Sequence, residues 1–374
     1  MDFGVRMSAT HDTNVARSSK AQAAIRDLTP EDTYYTVAGT VDLVQPLGKQ
    51  AVFLQGNAGY TFYDKNKNLS SRSADLTGGA LKSFGRACQG MVSGGYGADL
   101  GQIDDVIGEI VDNVREQTNM AASLGCQPAN GFGFALSANH DETRNSAALQ
   151  ETQDSDTDSA AVVLSYSRPS LGTFRLIANF SETKYPHRDP LLATALGDQI
   201  SVSSYGVSVE RTFGNRLEVN GTAQRTLIKR DKAPVGTPLK TTATVYDAQL
   251  KYHAGTRLDL RLSGNRSVTP SNRIGQLFDI TRELGAVATY RLGTRVEVEA
   301  GYRNERTASS GSGAVVLGPI LTNSDKDVIF GGVRYRRTGG FSLGLTARHE
   351  DRETNLPSFD YTATIVAVSL DVPF

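Results

Sequence analysis

Residues 361–374 read Y-T-A-T-I-V-A-V-S-L-D-V-P-F, and this closing stretch decides the fold. Thr364, Val366, Val368, Leu370 and Phe374 lie on one face, while the alternate positions are mostly small or polar. A repeat of two residues is typical of a β-strand that presents one apolar side. The stretch is also longer than the five or six residues usual for strands of soluble proteins.

The same alternation recurs along the chain. Residues 257–265 alternate leucine with charged or polar residues. Residues 295–303 and 341–350 also alternate apolar residues with charged or small polar ones. In a soluble sandwich the apolar face would pack on a second sheet and the polar face would meet water. The length of the strands favours a membrane barrel instead, with lipid on the apolar side and water on the other. The sandwich is the less favoured alternative.

Short turns and longer loops divide the chain into strands. Eight turns lie near residues 46–49, 85–86, 128–131, 169–172, 214–215, 254–255, 292–293 and 339–340. Nine loops lie near residues 15–31, 65–70, 99–113, 144–157, 185–198, 229–241, 267–277, 306–324 and 353–358. These connections join eighteen strands, give or take two because residues 65–85 alternate poorly. We therefore predict an all-β fold, a single transmembrane antiparallel up-and-down barrel over residues 1–374, with short periplasmic turns and longer extracellular loops.

Composition agrees with a barrel and excludes other classes. The chain has 39 basic and 40 acidic residues, whereas a nucleic-acid-binding surface would be strongly basic. Apolar residues make up only 39%, and no run approaches the ~20 apolar residues of a membrane-spanning helix. A barrel tolerates this composition because only every second residue faces lipid.

Both ends of the sequence fit an outer-membrane protein. The chain begins Met1-Asp2-Phe3-Gly4, already inside an alternating run, so we expect a mature form without a signal peptide. It ends on Phe374, which resembles outer-membrane barrels, whose terminal aromatic residue is read by the assembly machinery. The resemblance implies the outer membrane of a Gram-negative bacterium, with its lipid as a partner.

The chain contains two cysteines, Cys88 and Cys126. Cys88 follows the turn at 85–86 and Cys126 precedes the turn at 128–131. Antiparallel neighbours joined by the loop 99–113 would bring both residues together at the short-turn rim. We predict a disulfide, which an oxidising periplasm allows, with two free thiols as the alternative. Two cysteines are too few for a metal site, and none is expected.

One loop has helical periodicity. Within residues 99–113, Ile103, Val106, Ile107, Ile110 and Val111 recur at helical spacing among the acidic residues Asp104, Asp105, Glu109 and Asp112. This pattern predicts a short amphipathic helix. The helix would constrict the pore, cap its outer mouth, or lie on the surface, and the sequence leaves these alternatives open.

The polar face concentrates its basic groups in the last third of the chain. The expected pore-lining residues are Arg257, Arg261, Arg295, Arg303, Arg334, Arg336 and Arg348, together with Glu297 and Glu299. Barrels of this size enclose an aqueous channel unless something fills it. A basic wall would concentrate acidic solutes, and arginine offers forked donors to carboxylates. The alternative is that inward Arg and Glu residues pair with each other as a structural ladder.

Sequence features of catalysis are missing. None of the five histidines lies in a recognisable triad context, and residues 154–158 lack the Gly and distal Glu of an EF-hand loop. We predict no enzyme activity and no cofactor. A hydrolase with its site at the barrel rim is the least favoured alternative.

Two short motifs resemble a known group. The first strand ends Asp12-Thr13-Asn14-Val15-Ala16-Arg17, and the second ends in a Pro46-Leu47-Gly48 turn. A D-x-N-hydrophobic-x-R start followed by P-L-G resembles the β-barrel porins encoded in exopolysaccharide gene clusters. The resemblance implies an outer-membrane conduit for secreted polysaccharide, acidic in view of the basic wall, that works with periplasmic export components. A diffusion porin for small solutes is the alternative on the same fold.

Overall fold

A computed structural model describes residues 2–100, 113–148, 150–190, 193–194, 197–232, 238–270, 278–310, 321–337 and 339–374. Their dominant feature is a sheet of eighteen strands. The strands are β1 (Asp2–Asp12), β2 (Asp32–Leu47), β3 (Gln50–Tyr63), β4 (Ser71–Phe84), β5 (Cys88–Leu100), β6 (Val114–Cys126), β7 (Gly131–Asn145), β8 (Ser155–Arg168), β9 (Gly172–Lys184), β10 (Gln199–Phe213), β11 (Leu217–Arg230), β12 (Lys240–Ala254), β13 (Leu258–Pro270), β14 (Phe278–Leu292), β15 (Val296–Ser310), β16 (Asn323–Arg336), β17 (Ser342–Thr354) and β18 (Tyr361–Pro373).

Few helical residues accompany the sheet. An α-helix, α1, spans Lys20–Ile25, and single 3-10 turns lie at Lys67–Leu69, Glu151–Gln153 and Pro357–Phe359. Within the described ranges, no helix has both the length and the apolar character needed to cross a bilayer.

The sheet closes on itself. Each strand pairs antiparallel with the next, and β1 pairs with both β2 and β18, in a register that runs from Gly4↔Pro373 to Asp12↔Ile365. Closure leaves no open strand edge, which is what spanning a membrane with strands requires. The predicted eighteen-stranded antiparallel barrel is confirmed, and the sandwich alternative is wrong because the single sheet has no partner sheet.

The polar face of the sheet is its concave face. Leu262, Leu284 and Ile329 are 53%, 63% and 61% exposed and lie on the apolar face with the other large exposed side chains of their strands. Buried strand residues such as Asp12, Glu350 and Tyr361, by contrast, belong to the polar face, with Ala98 as the exception. Crowding inside a closed barrel occurs on the concave side, so the apolar face is the convex one and points outward.

All eight predicted short turns are present, and each contains a glycine with a positive φ. Gly48 has φ 68° and Gly214 has φ 61°. Such tight hairpins favour glycine because other residues are strained in this region. We call this end of the barrel the short-turn end and the opposite one the long-loop end.

The strands extend further at the long-loop end than the alternation predicts. β7 continues to Asn145 and β15 to Ser310, into the predicted loops 144–157 and 306–324. Beyond the lipid both faces of a strand meet water, so the apolar alternation fades. The ladder hydrogen bonds continue there, and they define the strand.

Candidate pore and its mouth

Residues 13–31, which we call the mouth segment, connect β1 to β2 at the long-loop end. The segment contains α1, whose N-cap Ser19 side chain accepts a hydrogen bond from the backbone N–H of Gln22. Its apolar side chains form a buried cluster with Leu69 from the next loop. Tyr34 and Tyr63, from the concave faces of β2 and β3, pack against this cluster. The mouth segment therefore folds inward and narrows the barrel opening.

An ion pair fixes the start of the mouth segment. Arg17 Nη2 lies 2.6 Å from Asp12 Oδ2, and Arg17 Nη1 donates to Asp12 Oδ1 at 3.0 Å. Arg17 Nε lies 3.5 Å from Glu350 Oε2 on β17, which also accepts from the Tyr361 hydroxyl at 3.2 Å. Burial lowers the pKa of Arg17, but the hydrogen bond and charge of Asp12 outweigh it and raise that pKa above its usual value. Both carboxylates are almost fully buried, at 1% and 2% exposure, so each depends on these partners.

The local geometry explains the D-x-N-hydrophobic-x-R motif. Asn14 donates its backbone N–H to Asp12 Oδ1 at 2.8 Å and its side-chain amide to the Ser18 carbonyl at 3.0 Å. Val15 enters the buried cluster at 5% exposure, and Arg17 adopts φ 50° as the chain turns back to Asp12. The residues at the fixed positions of the motif therefore together direct the chain into the barrel opening. In the sequence this turn is recognisable from an acid and an arginine five residues apart.

A third buried carboxylate holds the neighbouring loop. Asp32 is fully buried and accepts hydrogen bonds from the backbone N–H of Lys65 and of Asn66, at 3.0 and 2.8 Å. The side-chain amide of Asn66 adds a bond of 2.7 Å to Asp32 and another of 2.9 Å to the Thr29 carbonyl. These contacts join the mouth segment to the loop between β3 and β4. Sequence reasoning missed Asp32 and Asn66 because they are far apart in the chain.

The concave face has two unlike walls. On β3 to β8 it carries mainly Ser, Thr, Asn, Gln and Gly, with few charges. A cavity of about 540 Å³ lies along this wall, and its lining combines Asn57, Thr77, Gln117 and Asn119 with the carboxylates Asp75, Asp99 and Asp141. These amides and hydroxyls offer both donors and acceptors to a polar solute.

The opposite wall, on β11 to β17, is charged and partly paired. Arg303 Nε lies 3.4 Å from Glu283, Arg336 Nη2 lies 3.8 Å from Glu297, and Arg348 Nε lies 2.9 Å from Glu350. Arg261, Arg334 and Glu299 have no ion pair within the described part of the chain. Arg257 and Arg295 lie in the short turns before β13 and β15. The wall therefore combines ion pairs with unpaired arginines.

A cleft in the charged wall contains an aromatic ring. It has a volume of about 320 Å³ and is lined by Glu299, Arg303, Glu305, Lys326, Phe330 and Arg348, among others. Gly301 leaves room for the Phe330 ring, since a Cβ on Gly301 would lie 2.3 Å from Phe330 Cζ. An apolar surface flanked by convergent charged groups is the usual composition of a small-molecule subsite.

The histidine nearest to carboxylates is engaged on both ring nitrogens. His253 Nδ1 lies 2.5 Å from Asp259 Oδ1, and Nε2 lies 3.2 Å from Glu218 Oε1. Neither nitrogen faces a serine hydroxyl, so this arrangement is unlike the Ser-His-Asp triad. Among the described residues, no group of three or more His, Cys, Asp or Glu side chains could hold a metal ion.

The predicted disulfide between Cys88 and Cys126 is confirmed. The two residues are directly opposite in the register of β5 and β6, at the short-turn end. The acidic residues of the predicted constriction, Asp104, Asp105, Glu109 and Asp112, lie outside the described residues.

Comparisons with known proteins support the fold. No family model and no curated protein matches the sequence, so the resemblance to porins of exopolysaccharide clusters stays an expectation. The FrpB iron transporter from Neisseria meningitidis, in its apoprotein form, is 10% identical with a TM-score of 0.56. That match covers 95% of this chain but only 62% of FrpB, so this chain spans less than two thirds of the transporter's length.

Two structures from Pseudomonas aeruginosa match over nearly their whole length. OccK2 in complex with glucuronate is 10% identical, with a TM-score of 0.54 and coverage of 100% of this chain and 97% of OccK2. The outer membrane protein OpdK is also 10% identical, with a TM-score of 0.50 and coverage of 100% and 98%. Identities this low show the fold alone: the chain is a closed eighteen-stranded barrel of the architecture found in solved outer-membrane proteins.

Proposed function

We propose that the chain forms a water-filled channel in the outer membrane of a Gram-negative bacterium and passes hydroxyl-rich, anionic solutes of the saccharide class. The short-turn end faces the periplasm in this proposal, and the long-loop end with the mouth segment faces the medium. The observation that carries it is the two-walled concave face, with amides and hydroxyls on one side and arginines on the other.

Each wall supplies one part of the recognition. Sugar hydroxyls can exchange their water hydrogen bonds for bonds to Asn57, Gln117 and Asn119 on the wall of β3 to β8. Arg261 and Arg334, which have no carboxylate partner in the described part of the chain, attract a carboxylate to the other wall. OccK2, which shares the barrel fold, was solved with the acidic sugar glucuronate, a precedent for such a solute in this architecture.

The more specific form of the proposal is export of an acidic polysaccharide, delivered by periplasmic export components. The motif of residues 12–17 favours it, because the residues that resemble the exopolysaccharide-cluster porins are those that shape the mouth. Diffusion of small solutes is the second candidate function. The width of the opening that the mouth segment leaves in the barrel distinguishes export of a polymer from diffusion of a small solute.

Planar-bilayer recordings test the channel and its selectivity. In a KCl gradient we expect a reversal potential that favours anions, and block of the current by glucuronate at lower concentration than by glucose. In Arg261→Gln/Arg334→Gln both effects should shrink. Arg211→Gln is the matched control, since Arg211 lies on the convex face beside Phe213 and does not reach the channel. Equal block by both sugars in the wild type would refute the proposed selectivity.

The polymer is tested separately on the same bilayers. If the chain exports polysaccharide, an acidic polymer added on the short-turn side should interrupt the current in long events whose duration depends on voltage. Block by glucuronate without any block by the polymer would leave small-solute diffusion as the function.

A further inference from the structure

The convex face carries an unusual row of cations at the long-loop end. Arg266 on β13 is directly opposite Arg282 on β14, and Arg282 is directly opposite Arg306 on β15. We call these three residues the arginine row. Directly opposite side chains on neighbouring strands have Cβ atoms about 5 Å apart, and like charges there destabilise the sheet. A second pair of opposed cations, Lys229 and Lys240, lies on β11 and β12.

Little in the protein neutralises this charge. Arg306 pairs with Asp325 at 2.8 Å, but the Arg266 guanidinium donates to the Thr244 carbonyl, and Arg225 donates to the hydroxyls of Thr242 and Thr244. Arg282 is exposed and has no ion pair within the described residues. The outward positions of β10 to β15 include no Asp or Glu, and the nearest outward carboxylates, Asp325 and Asp327, lie on β16 beside Arg306. Arg266, Arg282 and the two lysines therefore lack a carboxylate on their own and adjacent strands, and an anion from outside the chain can neutralise them.

The height of the row indicates the source of the anion. β14 runs ten residues from Leu292 at the short-turn end to Arg282. At about 3.3 Å per residue and a strand tilt of about 40°, this distance is roughly 25 Å along the membrane normal, the height of the lipid-facing band of such barrels. Leu284, two residues from Arg282 on β14, is 63% exposed, and Tyr302, four residues from Arg306 on β15, is 44% exposed; both belong to that band. The row thus lies where lipid headgroups begin.

We propose that the arginine row, together with Arg225, Lys229 and Lys240, binds the phosphates of a lipid in the outer leaflet of the membrane. Phosphate oxygens accept the forked donors of arginine, and binding removes the repulsion between the opposed cations. The acyl chains of the same lipid then lie on the apolar band below. This site is on the convex face and is independent of what passes through the channel.

The experiment uses the folded full-length chain in detergent micelles, with lipid A as the probe. Binding is measured by native mass spectrometry and by the temperature at which the heat-modifiable gel band shifts. We expect diphosphorylated lipid A to bind and to raise that temperature. Dephosphorylated lipid A and inorganic phosphate at the same concentration should not, and these arms separate a lipid headgroup from the acyl chains and from free phosphate.

Substitutions locate the site. In Arg266→Gln/Arg282→Gln the affinity for diphosphorylated lipid A should fall roughly 30-fold, because each cation near a membrane surface contributes about 1 kcal/mol. In Arg282→Gln alone the affinity should fall about fivefold, and this variant leaves the hydrogen bond of Arg266 to β12 intact. Arg211→Gln, on the convex face near the short-turn end, should bind like the wild type.

Three results would overturn the proposal. One is equal affinity of the wild type and both row variants for diphosphorylated lipid A. Another is equal binding of the dephosphorylated lipid. The third is a dimer held through the row, detected as cross-links to Asp351 or Glu353 on the convex face of β17, which would assign the patch to a second copy of the chain.

Discussion

The Asp12–Arg17 ion pair should control how widely the channel opens. In Arg17→Met the side chain keeps a similar length but loses its charge, which leaves the Asp12 carboxylate without its cation and Glu350 with Arg348 alone. Removing one partner of a buried ion pair typically costs about 3–5 kcal/mol. Arg17 retains 18% of its side-chain exposure, so the lower value of about 3 kcal/mol applies here.

That cost acts mainly on the docked state of the mouth segment, because the two carboxylates regain water when the segment leaves the barrel. A change of about 3 kcal/mol multiplies the undocked population on the order of 10²-fold. Single-channel recordings should therefore show wide openings of Arg17→Met far more often than those of the wild type. Trypsin should also cleave the folded variant faster within the mouth segment.

Two further variants separate the loss of the ion pair from the loss of one positive charge. Lys20→Met removes one positive charge from the same segment at an exposed position, and it should behave like the wild type. Asp12→Asn/Arg17→Met also removes the carboxylate that Arg17→Met leaves unpaired, so its wide openings should be rarer than those of Arg17→Met. Unchanged openings in Arg17→Met, with normal gel mobility of the folded protein, would refute the role of the ion pair. An equal effect of Lys20→Met would assign the change to the lost charge alone.

Two more substitutions test other contacts. Replacing Cys88 and Cys126 together by alanine should lower the free energy of unfolding by about 4 kcal/mol, because the disulfide closes a loop with a sequence separation of 38. Urea titration with and without reductant measures this loss, and an unchanged midpoint would contradict the prediction. Gly301→Leu should displace the Phe330 ring and weaken block of the current by glucuronate, whereas Gly331→Ala, whose added Cβ has its nearest contact at 3.4 Å, should leave the block unchanged.

The alternation of side chains specified the barrel because it is a local property of each strand. The eight turns were equally readable, since a tight hairpin needs a glycine at a defined position. The disulfide followed because Cys88 and Cys126 are placed almost symmetrically about one loop, so antiparallel pairing brings them together. Local patterns therefore gave the strand count, the two faces and one cross-strand contact.

Register between strands could not be read in the same way. Arg266, Arg282 and Arg306 each appear in the sequence as a single cation between uncharged outward neighbours, and nothing local shows that they are level with one another. Their alignment depends on how far each strand is shifted against the next, which the lengths of the turns and the shear of the closed sheet determine together. The pairing of Arg303, Arg336 and Arg348 with carboxylates depends on the same shifts.

The mouth segment depends even more on contacts between distant parts of the chain. Local hydrogen bonds of its motif bend residues 12–17 and position Arg17. Arg17 also contacts Glu350, which lies near the opposite end of the chain. That contact exists only because β1 pairs with β18 and β17 lies beside β18. Closure of the barrel thus completes the site that anchors the mouth. A chain whose last strand has not yet paired would lack this anchor, so the mouth segment can dock fully only after the pore wall has closed.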